Sequence, residues 1–250
     1  IRDTSVTGVQ TCALPIFLCL LQIGNISSEE DRILAEDSDV ISPEALSIVA
    51  SGGCIVYPTS TQPALGCLPT SNALDGLYAI KNRPSHMPVS IGVADLEQAS
   101  NLVELTDDIP DLLASFPEGS LTLVLPAKKT LDSRLGADKI AIRVVAHPVA
   151  KALLQATGPL TATSANISGT EPESNCPDAI ETLRKAGHKV GLVEGNTPGG
   201  LPSTLIAWYS VCDVSDCASI EVLREGIIPA DEVLLWWKSQ ISNNGETLGM

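Results

Sequence analysis

Aromatic side chains are scarce, at 3% of the 250 residues. A dense core must therefore be assembled from Ala, Val, Ile and Leu, which suits a sheet covered by helices. The hydrophobic content of 44% argues against a disordered chain. Cations are scarce too: 15 Lys and Arg stand against 30 Asp and Glu, a formal net charge of -15. Such a surface repels phosphate backbones at long range, so an anion site has to be a local pocket built from the few cations present. The seven cysteines contain no C-x-x-C pair, and Cys212 with Cys217 lacks the neighbouring ligand types of a zinc site. Reduced thiols in a cytosolic core are the expectation. The apolar run from Ala13 to Ile23 is too short to span a bilayer and lacks secretory flanks. A cytoplasmic protein with no membrane partner is expected.

The familiar catalytic fingerprints are missing as well. The sequence has no G-x-x-x-x-G-K-[ST] loop, no G-x-G-x-x-G turn, no G-x-S-x-G elbow and no H-E-x-x-H. His86, His147 and His188 are scattered. Chemistry here would not rest on a common triad or a His-bound metal.

What is present begins late. Residues 1–16 read like a translated sequencing adapter and are set aside, and residues 17–42 form an acidic, Ser-rich lead-in. From Pro43 the pattern is regular. Ser42-Pro43 starts a helix that stops at Gly52-Gly53. Strands are predicted at 54–57, 89–93, 121–125, 140–145, 160–163, 190–193, 204–208 and 219–223. Helices are predicted at 72–81, 95–102, 107–115, 148–157, 177–186 and 229–237. The alternation gives one α/β domain over 43–232 with a twisted, mixed sheet, then a helix end and a loose tail over 233–250.

Several polar residues sit at strand ends or in unusual places on strands. Thr59, Ser60 and Thr61 follow the strand ending at Tyr57, where small hydroxyls can grip a polar ligand. Pro84 drives Arg83 towards an extended form, in which Lys81 and Arg83 would point the same way as a two-pronged phosphate clamp. Helix-end cations answering the dipole are the plainer alternative. Arg143 lies opposite the apolar face of Ile140, Ile142 and Val144, so it needs an anionic partner, either a ligand or a structural carboxylate. The stretch 163–169 (TSANISG) is dense in small hydrogen-bonding groups, with Ser164 and Asn166 on one side if extended.

Taken in order, GGCIVYPTSTQPALGC (52–67), KNRP (81–84), SLTLVLPAK (120–128), IAIRVVAHPVA (140–150), TSANISG (163–169), PSTLI (202–206) and VLREG (222–226) resemble the YrdC-like family of threonylcarbamoyl-adenylate synthases. The resemblance implies a single YrdC-like α/β domain with a concave ligand cleft. It also implies a reaction in which L-threonine, bicarbonate and ATP, accompanied by Mg²⁺, give threonylcarbamoyl-AMP and pyrophosphate. A partner threonylcarbamoyl transferase would then modify tRNA. Lys81 and Arg83 match the family's K-x-R and would hold the ATP phosphates as the catalytic cations. Ser164 and Asn166 match its S-x-N, and with Thr122 and Arg224 would bind the nucleotide. Thr59, Arg143 and Ser203 would hold threonine. The loop after the first strand departs from the family's PT-[ED]-T-x-YGLG: Ser60 replaces the acid and Pro63 the aromatic. The usual W-P-G-P-L-T reads Phe116-Pro117-Glu118-Gly119-Ser120-Leu121-Thr122. A YciO-like paralogue, a relative acting on another substrate, and an RNA-binding module are the competing readings.

Overall fold

The computed structural model describes residues 41–211 and 220–247. The readings of residues 1–40 and of Cys212 and Cys217 lie outside them. Helix α1 (Pro43–Ala50) starts as its sequence dictates. Ser42 is extended, its hydroxyl accepts the Ala45 N–H at 3.2 Å, and Pro43 occupies a first-turn position that needs no donor. The chain then runs β1 (Ile55–Tyr57), β2 (Ala64–Gly66), α2 (Ser71–Lys81), β3 (Ile91–Val93), α3 (Leu96–Ser100) and α4 (Ile109–Ser115). It continues β4 (Leu121–Pro126), β5 (Lys139–Val144), α5 (Pro148–Thr157), β6 (Leu160–Thr161), β7 (Thr163–Ser164) and α6 (Cys176–Lys185). It closes with β8 (Gly191–Leu192), β9 (Thr204–Ala207), β10 (Glu221–Arg224) and α7 (Ala230–Thr247).

The fold is mixed α/β, with helices around twisted mixed sheets, but the single sheet expected from the sequence is divided in two. A four-stranded sheet has the order β7-β2-β1-β8 and a six-stranded sheet the order β10-β9-β4-β5-β3-β6. In the small sheet β1 pairs antiparallel with β2 and parallel with β8. In the large sheet β4 is parallel to β9 and antiparallel to β5, and β5 is parallel to β3. The stretch expected as one strand, Leu160 to Thr163, is the crossing point. β6 pairs with β3 in the large sheet and β7 with β2 in the small one, with Ala162 between them. Ala162 keeps its own bond to the large sheet, its N–H donating to the Ser90 carbonyl at 2.8 Å.

The principal core joins both sheets to α2, α4, α6 and α7, with α6 packed on β1 and β8 of the small sheet, and includes Leu74, Leu77, Ile91, Leu123, Ile142 and Leu183, each under 5% exposed. Fully burying such side chains contributes about 1.5–3 kcal/mol each. The few aromatics are concentrated where α7 docks. Trp208 and Trp237 meet edge to face at 5.2 Å, and Tyr209 stacks on Trp237. α7 continues past Trp237, and the residues from 238 expected as a loose tail are helical to Thr247.

Candidate functional site

A cavity of about 490 Å³ lies where the two sheets face each other. The small sheet supplies the loop Thr61-Gln62-Pro63 and strand β7; the large sheet supplies Thr122 on β4, Arg143 on β5, Leu205 on β9 and Arg224 on β10. Arg83, Arg143 and Arg224 all line it, and among the described residues none that lines it is acidic. In a chain of net charge -15 this is the local basic pocket that the composition demanded.

Arg143 faces Gly92 of β3 in register and is 7% exposed. Its Nε donates to the Gly119 carbonyl at 2.9 Å, and one terminal nitrogen donates to the hydroxyls of Thr61 at 3.0 Å and Ser60 at 3.2 Å. Every one of these acceptors is neutral. Burial lowers its pKa to about 10; Tyr57 opposes the shift and Arg224 adds to it. Of the two partners anticipated for this residue, a structural carboxylate is not found among the described residues, and Arg143 lines the cavity. Gly119 is fitted to its part. Its φ of +70° is left-handed, and a Cβ there would stand 2.6 Å from the Ser60 hydroxyl.

Arg224 approaches from the edge of the large sheet, donating to the Ser203 carbonyl at 2.8 Å. Burial, then Arg83, lowers its pKa. Thr122 and Ser203 share a hydrogen bond of 2.7 Å, both buried, so their hydroxyls act as a unit. Arg83 is held across the cavity mouth by the carbonyls of Met87 at 2.9 Å and Pro88 at 3.0 Å.

Lys81, Asn166 and Thr59 stand behind the wall rather than on it. Lys81 ends α2, and Asn82 beyond it is left-handed at φ 47°. The extended geometry expected for the K-x-R segment is therefore replaced at Lys81 by a helix end. Its ammonium is 1% exposed and donates to the Ser164 carbonyl at 2.5 Å, the Asn166 carbonyl at 2.8 Å and the Asn166 Oδ1 at 3.3 Å. Burial, then Arg83, lowers its pKa to about 8. The Ser164 hydroxyl donates to the Asn166 Oδ1 at 2.6 Å across a tight turn closed by the Asn166 N–H on the Ser164 carbonyl, rather than along an extended strand, and only Ser164 lines the cavity. Thr59 is 1% exposed and tied into its own turn, donating to the Gln62 carbonyl at 2.7 Å and accepting the Thr61 N–H at 3.1 Å.

The sequence reading named Ser60 and Thr61 but did not choose them; Thr61, not Thr59, lines the cavity and meets Arg143. It missed Gln62, whose Nε2 donates to the Gly200 carbonyl at 2.6 Å while Gly199 N–H donates to the Thr61 carbonyl at 2.8 Å. This pair latches the altered loop to the Gly-rich turn before Ser203. No sequence pattern marks it, because its partner is a backbone atom far along the chain.

The Sua5, YciO and YrdC family, described as "Telomere recombination", matches residues 47–226. The chain belongs to the Sua5/YciO/YrdC family. It is similar to the threonylcarbamoyl-AMP synthase of Vibrio cholerae, at 34% identity over 192 residues, covering 73% of this chain and 96% of that protein. It is 33% identical to the enzyme of the same name from Bacillus subtilis over 187 residues, covering 71% of this chain and 52% of that protein. It is 32% identical to YciO of Escherichia coli, covering 74% of this chain and 88% of that protein. Among solved structures, P. abyssi Sua5 complexed with L-threonine superposes with a TM-score of 0.66 at 27% identity, covering 80% of this chain and 56% of that one. E. coli YciO gives 0.63 at 28% identity, covering 80% and 94%. The chain thus spans about half the length of the B. subtilis and P. abyssi members and nearly all of the V. cholerae one.

Proposed function

We propose that this Sua5/YciO/YrdC domain makes L-threonylcarbamoyl-AMP from L-threonine, bicarbonate and ATP. The observation that carries the proposal is Arg143: buried, hydrogen-bonded to neutral oxygens and joined by two more arginines in a cavity lined by no acid. Such a site suits an anion-rich substrate pair. Threonine and bicarbonate condense to a carbamate with loss of water. A carbamate oxygen then attacks the α-phosphorus of ATP, the bond to the bridging oxygen breaks and pyrophosphate leaves. The substrate supplies its own nucleophile, so positioning and charge stabilisation are what the protein must add.

In this reading Arg83, Arg224, Thr122 and Ser164 face the nucleotide, and Arg143 with Ser203 holds the threonine carboxylate. The Thr122–Ser203 hydrogen bond would link the two subsites. Lys81, Asn166 and Thr59 support the wall from behind. Mg²⁺ would come with the ATP phosphates as part of the substrate; among the described residues no carboxylate lines the cavity and no group of three His, Cys, Asp or Glu could hold a metal. The product would pass to a threonylcarbamoyl transferase that modifies tRNA. Among the described residues no helix is long and apolar enough to cross a membrane, and a cytoplasmic site of action is part of the proposal.

The deciding measurement is pyrophosphate release from ATP and bicarbonate, with and without L-threonine. Release that requires threonine is expected; release indifferent to it would sink the reading. The similarity to YciO, together with Ser60 and Pro63 in the loop, favours as second reading a paralogue with another acceptor. That reading predicts threonine-independent behaviour in the same assay. The Gln62 latch gives a milder test. Gln62→Ala is expected to raise the KM for threonine several-fold while changing stability by no more than about 0.5 kcal/mol, as for a surface substitution, read by kinetics and thermal unfolding.

A further inference from the structure

Cys54 immediately precedes β1 and Cys67 immediately follows β2. The register pairs Ile55 with Gly66 antiparallel, so one step outward sets Cys54 directly opposite Cys67. Their backbone bonds point away from each other. Cys67 N–H donates to the Thr161 hydroxyl at 3.0 Å, the Cys67 carbonyl accepts from Thr161 N–H at 2.9 Å, and the Cys54 carbonyl accepts from Gly191 N–H at 2.9 Å. The two cysteines are therefore a non-hydrogen-bonded cross-strand pair, the kind in which Cα atoms lie about 4.5 Å apart and side chains approach closest. Both side chains enter the same core cluster, with Val56 and Leu65, and the thiols are free.

We propose that Cys54 and Cys67 form a reversible disulfide across the base of the β1–β2 hairpin, a modification site separate from the cavity. The separation sits at the short end of the range that a disulfide spans, which favours a bond that is readily reduced again. The local electrostatics name the attacking sulfur. Cys54 hydrogen-bonds to Cys67, and that bond, opposed by burial and reinforced by the Thr161 hydroxyl and by Arg134, lowers the Cys67 pKa, while the same contact and burial push Cys54 up. With a small disulfide such as glutathione disulfide as oxidant, the step balances. The Cys67 thiolate displaces one glutathione thiol, Cys54 displaces the second, one S–S bond forms as one breaks, and both thiol protons leave on glutathione. Because the pair is 0–3% exposed, exchange proceeds through local opening of the hairpin base next to the Gly52-Gly53 turn.

The sequence provides a clean assay. Trypsin releases Ile33–Lys81, which holds Cys54 and Cys67 and no other cysteine. The full-length native protein is incubated with glutathione disulfide, its remaining thiols are alkylated, and it is digested without reductant. The expected result is an Ile33–Lys81 peptide lighter than its reduced, unalkylated mass by two hydrogens. The reduced, doubly alkylated peptide should return after dithiothreitol, and Cys54→Ser should lose the light species. A peptide that stays doubly alkylated, that carries glutathione on one cysteine, or that is cross-linked to another cysteine of the chain would overturn the proposal. The readout does not depend on any enzymatic activity.

Discussion

Arg143→Met is expected to reduce pyrophosphate release by ~10²–10³-fold, the usual cost of removing one charge-stabilising donor, with the thermal midpoint unchanged or raised. Both halves of that result come from the same contacts. Arg143 is buried but its acceptors are the Gly119 carbonyl and the Ser60 and Thr61 hydroxyls. No carboxylate is left behind when the guanidinium goes; Thr61 lines a cavity that water can fill, and the Gly119 carbonyl sits at a half-buried position. A methionine of similar length removes a desolvated charge whose burial opposes folding and, since its acceptors are neutral, strands no opposite charge. Arg143→Lys should fall between, keeping the charge and losing the planar fork. Steady-state kinetics beside thermal unfolding checks the pair. A fall in midpoint with activity intact would make Arg143 a structural residue.

Lys81→Met is expected to do the reverse and lower stability, because the neutral oxygens it serves lie behind the cavity wall, out of reach of replacement by water. The ammonium closes three oxygens of the 164–166 segment, and the Lys81 carbonyl accepts the Ser168 N–H at 2.7 Å, so α2 and this segment are sewn together at one residue. Removing the ammonium leaves buried carbonyls without donors, at about 1–3 kcal/mol each. Urea titration should show the midpoint falling with an unchanged slope. Arg83→Met, by contrast, should stay as stable as the parent and lose turnover. If Lys81→Met were inactive yet fully stable, Lys81 would have to be reassigned to the substrate.

The contrast between these two cations marks what the sequence could and could not disclose. Arg143 was legible because a charge amid apolar neighbours on a strand is a local anomaly. Lys81 was legible as important and misread in geometry, because the residue before a proline was allowed to set the conformation of one two positions earlier. The helix end at Asn82 came first. The strands of the large sheet were readable at Leu121, Ile140 and Thr204, where apolar runs are long enough to show. β2 and β7 were not, since three and two residues hold no period, and their existence depends on pairing with β1 and with each other. The division into two sheets is likewise a matter of partners distant in sequence. Thr59 was chosen over Thr61 by family pattern, whereas the turn that hides the first hydroxyl and presents the second is set by its bonds to Thr61 N–H and the Gln62 carbonyl.

Ala162, where the chain steps from one sheet to the other, gives the cavity two walls built on separate sheets of one chain. The arginines at 143 and 224 ride on the large sheet, and the loop that departs from its relatives rides on the small one. Substitutions in that loop leave the strands carrying these arginines paired as before. Under the proposed function, changes confined to that loop would reach Arg143 only through the Ser60 and Thr61 hydroxyls to which its guanidinium donates, while the strands that set Arg143 and Arg224 in place are paired elsewhere.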